Sequence, residues 1–215
     1  MISTRTLSIV FGLLALAFGG GASAAKLELY PASSTGIPYQ WLVTMKAGET
    51  ISFIKQVGAK SWNEPTTPGK GWTHTSDWVA FELTERAHVT IKVTRQMGVT
   101  HGDPGDLQLA RKYLYPALSV YETWDTISSV PHQYENSANI TGTTVIYLGN
   151  APNTRKPSTV YDATLDAGKY TIAIGGNPPA LATYPPVNCN PVTSQKCYIY
   201  FGNHGFRTVI TTKRP

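Results

Sequence analysis

The sequence predicts an all-β protein, an antiparallel, jelly-roll-like β-sandwich of about ten strands with long loops. The composition is the first indication, since charged residues make up only 14% of the chain and 19 Gly, 15 Pro and 12 Tyr are present. The second is the alternation of apolar and polar residues in several short segments, which is the period of a strand. The third is the turn-rich character of the connections, which suits antiparallel pairing in two packed sheets.

The first 24 residues resemble a signal peptide. They contain Arg5 without an acidic residue, an apolar run over residues 7–18, and the small residues Ala22-Ser23-Ala24. The apolar run is shorter than the ~20 residues of a comfortable membrane span. We therefore expect residues 1–24 to be removed and residues 25–215 to form a single domain that is secreted, periplasmic or on the outer cell surface.

Five strands are predicted in the first half of the mature chain, at residues 26–30, 41–44, 50–57, 77–83 and 88–95. The last of these has the cleanest alternation, with Val89, Ile91 and Val93 on one face and polar residues on the other. Residues 84–87 are short enough to join the fourth and fifth strands as a hairpin. Trp78 and Ala80 share one face of the fourth strand.

The second half predicts strands at residues 118–124, 144–148, 159–165 and 170–174, with a short helical turn within 107–113. A terminal hairpin is predicted from residues 197–201 and 206–212, with Gly202-Asn203-His204-Gly205 as its turn. The two cysteines, Cys189 and Cys197, are expected to form a disulfide in an oxidising compartment. This short loop would stabilise the fold by ~2–3 kcal/mol.

The sequence lacks the local signatures of common enzymes. It has no Gly-x-Ser-x-Gly elbow, no His-Glu-x-x-His, no Rossmann glycine pattern and no phosphate-binding loop. A glycosidase with two distant carboxylates is left open, because such a pair forms no local motif. The basic residues are scattered, so no nucleic-acid partner is expected. No second apolar stretch is long enough for a membrane span. A binding protein with a possible cell-surface partner is favoured over an enzyme.

The strongest chemical feature is Trp72 and His74, which precede the strand at 77–83. In an extended chain these two side chains point to the same side. His101 and His132 also lie in loops, whereas His88 is expected on a solvated strand face and His204 in a turn. Imidazole ligands suit copper, zinc, nickel and iron.

One methionine and two acids are further candidates for metal binding. Met97 is either a soft contributor to a copper site or an ordinary residue that is buried or at a strand end. Asp103 and Asp106 suggest either a structural Ca²⁺ loop or an ordinary turn.

The motif Trp72-Thr73-His74 resembles the site of the methanotroph surface-associated, copper-repressible copper-binding proteins. The resemblance implies that Trp72 is oxidised to kynurenine beside a Cu(I) ion and that His74 is one ligand. It implies a second histidine further along the chain, for which His132 is the better match and His101 the runner-up. Residues 114–121 and 167–172 are also similar to secreted pre-peptidase-like β-sandwich domains.

The function implied by this resemblance is copper scavenging or delivery. The alternative is a secreted β-sandwich that binds a glycan or a protein at the cell surface without a metal. In that case Trp72 and Trp62 would form the binding surface and His74 would only make a hydrogen bond nearby.

Overall fold

The computed structural model describes residues 24–32, 35–58, 76–101, 108–127, 144–152, 155–176 and 203–215. These residues form twelve strands, which are β1 (Lys26–Leu29), β2 (Trp41–Met45), β3 (Thr50–Gly58), β4 (Asp77–Leu83), β5 (Ala87–Arg95), β6 (Thr100–His101), β7 (Gln108–Leu109), β8 (Pro116–Glu122), β9 (Ile146–Asn150), β10 (Ser158–Leu165), β11 (Gly168–Gly176) and β12 (Asn203–Lys213). Within the described ranges, no helix is both long and apolar enough to cross a membrane.

Ten of the strands form two sheets. The larger sheet has the order β1-β2-β4-β11-β8-β9 and the smaller has the order β10-β5-β12-β3, while β6 and β7 form a separate two-stranded ribbon. The described strands pair antiparallel, except that β2 and β4 are parallel. The predicted all-β sandwich of about ten strands is therefore confirmed.

The main core lies between the two sheets. It contains Val79, Phe81 and Leu83 from β4, which face Phe206 and Ile210 of β12 and the apolar face of β5. These five side chains are at most 1% exposed. Full burial of one such side chain stabilises the fold by ~1.5–3 kcal/mol. The alternation read in β5 is confirmed, because its apolar face lies in this core and its polar face points outward.

A second apolar cluster covers the outer face of the larger sheet. Trp78 and Tyr121 are fully buried there against Ile37 and Tyr39, which belong to the connection before β2. Both faces of β4 are consequently buried. This explains why Trp78 on one face and Phe81 on the other are both large and apolar, in a strand at the centre of the sheet.

The predicted hairpin between residues 77–83 and 88–95 is wrong. β4 pairs with β2 and β11, and β5 pairs with β10 and β12, so the two strands belong to different sheets. The physical reason is that β2 and β11 already pair with the two edges of β4, so neither edge is left for β5. Residues 84–86 therefore cross from one sheet to the other.

The predicted turn at residues 202–205 is also wrong, because β12 begins at Asn203. His204 pairs with Val57 of β3 and is 0% exposed. It has the same side-chain direction as Phe206 and Ile210, so it faces the layer between the sheets. The partner strand β3 is distant in the sequence, so the local motif Asn203-His204-Gly205 does not predict this pairing. The helical turn predicted within 107–113 is likewise replaced at its start by β7.

Candidate metal centre

Most of the predicted site residues lie outside the described part of the chain. These are Trp72, His74 and His132, together with Trp62, the two acids Asp103 and Asp106, and the cysteines Cys189 and Cys197. His101 is the last residue of β6. The residues that border these segments show where the segments join the fold.

The segment that contains Trp72 and His74 joins the fold at Ser76 and Asp77. Both residues are buried, with 5% and 2% exposure respectively. Asp77 has the side-chain direction of Val79 and faces the layer between the sheets, whereas Trp78 faces the outer cluster. The start of β4 thus borders both apolar clusters, and His74 is only three residues before Asp77 in the sequence.

Burial dominates the electrostatics of Asp77. It raises the pKa of this carboxyl from 3.8 to about 7, although the positive charge of Lys55, the indole N–H of Trp41 and the backbone N–H of Trp78 act in the opposite direction. Among the described residues, neither carboxyl oxygen has a hydrogen-bond partner of normal geometry. The Trp78 N–H is donated instead to the side-chain oxygen of Gln40. The cost of burying an ionised carboxylate at Asp77 is therefore only partly offset by its neighbours.

An aromatic and cationic arrangement lies beside Asp77. The Lys55 Nζ is 5.5 Å from the centre of the Trp41 ring, a cation–π distance. The same ring packs against Phe53 with the ring centres 5.5 Å apart. Strands β2 and β3 therefore contribute both the cation and the indole that influence the Asp77 carboxyl.

The segment 128–143, which contains His132, is anchored by Asp125. The Asp125 carboxylate accepts the Ile127 N–H at 3.1 Å on one oxygen and the Thr144 N–H at 3.0 Å on the other. Asp125 is 1% exposed. Two charge-assisted hydrogen bonds to backbone groups thus hold the two ends of this segment close to one side chain.

Tyr39 and Thr171 extend this anchor into the larger sheet. The Tyr39 phenol oxygen accepts the Asp125 N–H at 3.0 Å and lies 2.6 Å from the Thr171 hydroxyl, which donates to the Thr123 carbonyl at 2.8 Å. The phenol therefore donates to Thr171. Burial raises the pKa of Tyr39 well above its ordinary value, so the phenol is neutral and keeps this donor.

The fold relates the histidine segments in two ways. Trp78, just after the His74 segment, and Val145, just after the His132 segment, belong to the same outer cluster. His101, by contrast, lies on β6, which contacts β12. Just after β5, the Gln96 N–H donates a hydrogen bond to the Gly205 carbonyl of β12 at 2.8 Å. Both candidate second ligands thus remain compatible with the topology.

Sequence reasoning missed three buried polar groups. Asp77 and Asp125 belong to no local motif, since their partners lie far away in the chain, and His204 was read as part of a turn. Met97 is 60% exposed, so its interpretation as a buried residue is wrong. Within the described ranges there is no group of three or more His, Cys, Asp or Glu residues that could hold a metal ion.

Comparison with known proteins identifies the class of this protein as a copper-binding β-sandwich. The model of the family described as copper(I)-binding protein CorA-like matches residues 44–173, which is more than half of the chain. The chain belongs to this family, and the resemblance stated from Trp72-Thr73-His74 is confirmed at the level of the family. Family membership indicates a copper-binding role rather than a catalytic one.

Three solved structures illustrate the similarity. CorA from Methylomicrobium album BG8, a surface-associated copper-binding protein important in copper acquisition, is 15% identical over 79% of this chain and 97% of its own, with a TM-score of 0.42. MopE from Methylococcus capsulatus, a secreted protein in which an oxidised tryptophan facilitates copper binding, is 11% identical over 87% and 94%, with a TM-score of 0.43. The pre-peptidase C-terminal domain of a Bacillus anthracis collagenase is 8% identical over 81% and 98%, with a TM-score of 0.37. None of the curated proteins compared with the chain matches it significantly.

Proposed function

We propose that this protein captures copper outside the cytoplasm, for scavenging or delivery, by holding one Cu(I) ion between His74 and a second histidine beside Trp72. The observation that carries the proposal is the family match over residues 44–173, because this range includes Trp72-Thr73-His74 and both candidate second ligands, His101 and His132. His204 lies beyond the matched range. The segment at residues 1–24 supports export.

His132 is the preferred second ligand. Two observations support it: the ends of its segment are held by Asp125, and Val145 packs in the same outer cluster as Trp78. His101 is the runner-up, supported by the contact of β6 with β12.

Two neutral imidazoles suit Cu(I), which accepts low coordination numbers, and such a site leaves little room for a substrate. This favours capture over turnover. Oxidation of Trp72 to kynurenine would place a carbonyl and an aniline nitrogen beside the metal, which an unmodified indole does not offer. The role of this chain's own residues is to hold the imidazoles in position and to exclude competing ligands by burial.

The experiment is a Cu(I) competition titration of the purified mature protein with bicinchoninate as the competing chelator. We compare the wild type with His74→Ala, His132→Ala and His101→Ala, and use His88→Ala on the outer face of the smaller sheet as the matched control. His74→Ala and His132→Ala are expected to weaken Cu(I) binding strongly, while His88→Ala leaves it unchanged. Wild-type affinity in both His74→Ala and His132→Ala would contradict the proposal.

Intact mass of the native protein, followed by peptide mapping, tests the remaining parts. We expect removal of residues 1–24, a disulfide between Cys189 and Cys197, and a mass shift at the peptide that contains Trp72. An unmodified Trp72 in protein isolated with copper bound would refute the kynurenine assignment but not the histidine ligands.

A further inference from the structure

The outer face of the smaller sheet carries an ordered polar cluster that contains none of the residues proposed for the Cu(I) site. His88 of β5 lies directly opposite Thr164 of β10 on one side and opposite Lys213 of β12 on the other. Thr90, two residues after His88, lies opposite Asp162. Directly opposite residues share a face of the sheet, so all five side chains point to solvent together on three adjacent strands.

The distances within this cluster fix the imidazole and the carboxylate relative to each other. The His88 Nε2 is 3.0 Å from the Asp162 Oδ1, and the His88 Nδ1 is 3.3 Å from the Thr164 hydroxyl. The Thr90 hydroxyl donates to the same Asp162 oxygen at 2.5 Å. Each of the two functional groups is thus held by a threonine on the neighbouring strand.

Electrostatics favour an ionised carboxylate here. The hydrogen bond from Thr90 lowers the pKa of Asp162, and the nearby His88 and Lys213 lower it further. Asp162 is therefore negatively charged at neutral pH. It is an oxygen ligand that needs no deprotonation to bind a cation.

We propose that His88 and Asp162 form a chelating site for Cu(II), separate from the histidine pair that holds Cu(I). Nitrogen and oxygen ligands bind divalent first-row metals at roughly 2.0–2.2 Å. Two such ligands at a right angle on one metal are therefore about 2.8–3.1 Å apart. The 3.0 Å between the His88 Nε2 and the Asp162 Oδ1 matches this separation without any movement of the strands.

The second nitrogen of His88 supports the same arrangement. In the metal-free protein the His88 Nε2–H is donated to the Asp162 carboxylate. A bound metal ion replaces this proton and lies to one side of the line between the two atoms, while the Nδ1–H is donated to the Thr164 hydroxyl. This is the outer-shell hydrogen bond that metal-bound histidines commonly make. The side chains of His88 and Asp162 are 38% and 53% exposed, so water molecules can complete the coordination.

The chemistry of the pair selects the metal. At a given nitrogen and oxygen site, Cu²⁺ binds more tightly than the other divalent first-row metals, Zn²⁺ included. Ca²⁺ requires six to eight oxygen ligands and is poorly served by one imidazole and one carboxylate. The cation Lys213 opposes a metal beside Asp162, so the site binds Cu(II) more weakly than its ligands alone would allow.

The test is a titration of the mature, copper-free protein with Cu(II) sulfate, followed by electron paramagnetic resonance and by the loss of amide NMR signals near the paramagnetic ion. In the wild type, signals around His88, Asp162 and Lys213 are expected to broaden first among those of the smaller sheet. His88→Asn and Asp162→Asn are each expected to weaken this site at least tenfold. Lys213→Gln removes a repelling surface charge and is expected to tighten it about two- to fivefold.

A matched control and the Cu(I) affinity separate this inference from the proposed function. Glu28→Gln changes an exposed acid on β1 of the other sheet and is expected to leave the Cu(II) site intact. His88→Asn is also expected to leave Cu(I) affinity unchanged. Unchanged Cu(II) binding in His88→Asn, or absence of broadening around residues 88 and 162 in the wild type, would overturn the Cu(II) site whatever the Cu(I) titrations show.

Discussion

The carboxylate of Asp125 accepts the backbone N–H of Thr144 at 3.0 Å, across nineteen residues of chain. The same carboxylate accepts the N–H of Ile127 on its other oxygen. One buried side chain therefore closes the base of the segment that contains His132. The two residues that flank this segment, Ile127 and Thr144, are therefore held at one carboxylate.

Replacement of Asp125 with Asn tests this anchor. An amide of the same shape retains one acceptor oxygen, so one of the two backbone N–H groups loses its partner, and the free energy of unfolding is expected to fall by ~1–3 kcal/mol. If His132 is the second ligand, Cu(I) affinity falls as well, because the base of its segment is no longer fixed. Urea denaturation and Cu(I) competition measure the two effects.

The exposed acid Glu28, paired with Lys26 at 2.9 Å on β1, provides the control. Glu28→Gln is expected to change the free energy of unfolding by less than ~1 kcal/mol, as is typical of surface ion pairs. An Asp125→Asn variant that is destabilised but binds Cu(I) as the wild type does would favour His101 over His132.

The Tyr39 hydroxyl gives a second prediction about the same network. Tyr39→Phe removes the oxygen that accepts the Asp125 N–H and donates to Thr171, both in a buried environment. We expect a loss of ~1–3 kcal/mol in the free energy of unfolding, since a buried N–H is left unsatisfied. The control is Tyr30→Phe, which preserves the ring packing against Tyr39 at 5.1 Å between ring centres. Equal midpoints for the two variants would argue against this role of the hydroxyl.

Asp77 predicts a pH dependence of stability in the copper-free protein. Its pKa is raised from 3.8 to about 7 in the folded state, so between these values the folded chain binds more protons than the unfolded chain. The stability that this group contributes is complete below pH ~4 and is lost as the pH rises towards 7. One pKa unit corresponds to ~1.4 kcal/mol, so the total loss is of the order of 4 kcal/mol.

Urea denaturation at a series of pH values between 4 and 8 measures this dependence. Asp77→Asn cannot ionise, and its stability curve is expected to be flatter over this range than that of the wild type. Parallel curves for the two proteins would show that Asp77 does not titrate as its burial predicts. Asp162→Asn, at an exposed acid whose pKa is lowered, serves as the matched substitution.

Two glycines with positive φ should respond differently to Ala. A Cβ at Gly36 (φ 72°) would lie 2.4 Å from the Asp125 carbonyl oxygen and 2.5 Å from the Thr126 Cα, so backbone must move. A Cβ at Gly48 (φ 87°) would meet no atom within 4 Å and suffers only the conformational cost. Gly48→Ala is expected to cost ~1–2 kcal/mol and Gly36→Ala more, by a further ~1–3 kcal/mol. Thermal denaturation compares the stabilities of the two variants. A Gly48→Ala variant less stable than Gly36→Ala would be inconsistent with this packing.

The strands could be predicted from sequence where one face is apolar and the other polar, as in β5 with Val89 and Ile91. Their partners could not, because local alternation does not specify which sheet a strand joins; this is why the β4–β5 hairpin was wrong. The Trp72-Thr73-His74 motif indicated the family from three residues. Asp77 and Asp125 were missed because their roles depend on partners such as Trp41 and Tyr39, which are distant in the chain and close only in the fold.

The position of β12 has a consequence for how the chain acquires its structure. This strand pairs with β3 on one side and β5 on the other, so the smaller sheet cannot be completed until residues 203–213 are available. A nascent chain that has not yet produced them lacks the central strand and leaves the edges of β3 and β5 unpaired. We therefore expect the smaller sheet to form late in folding, after residues 203–213 have joined β3 to β5.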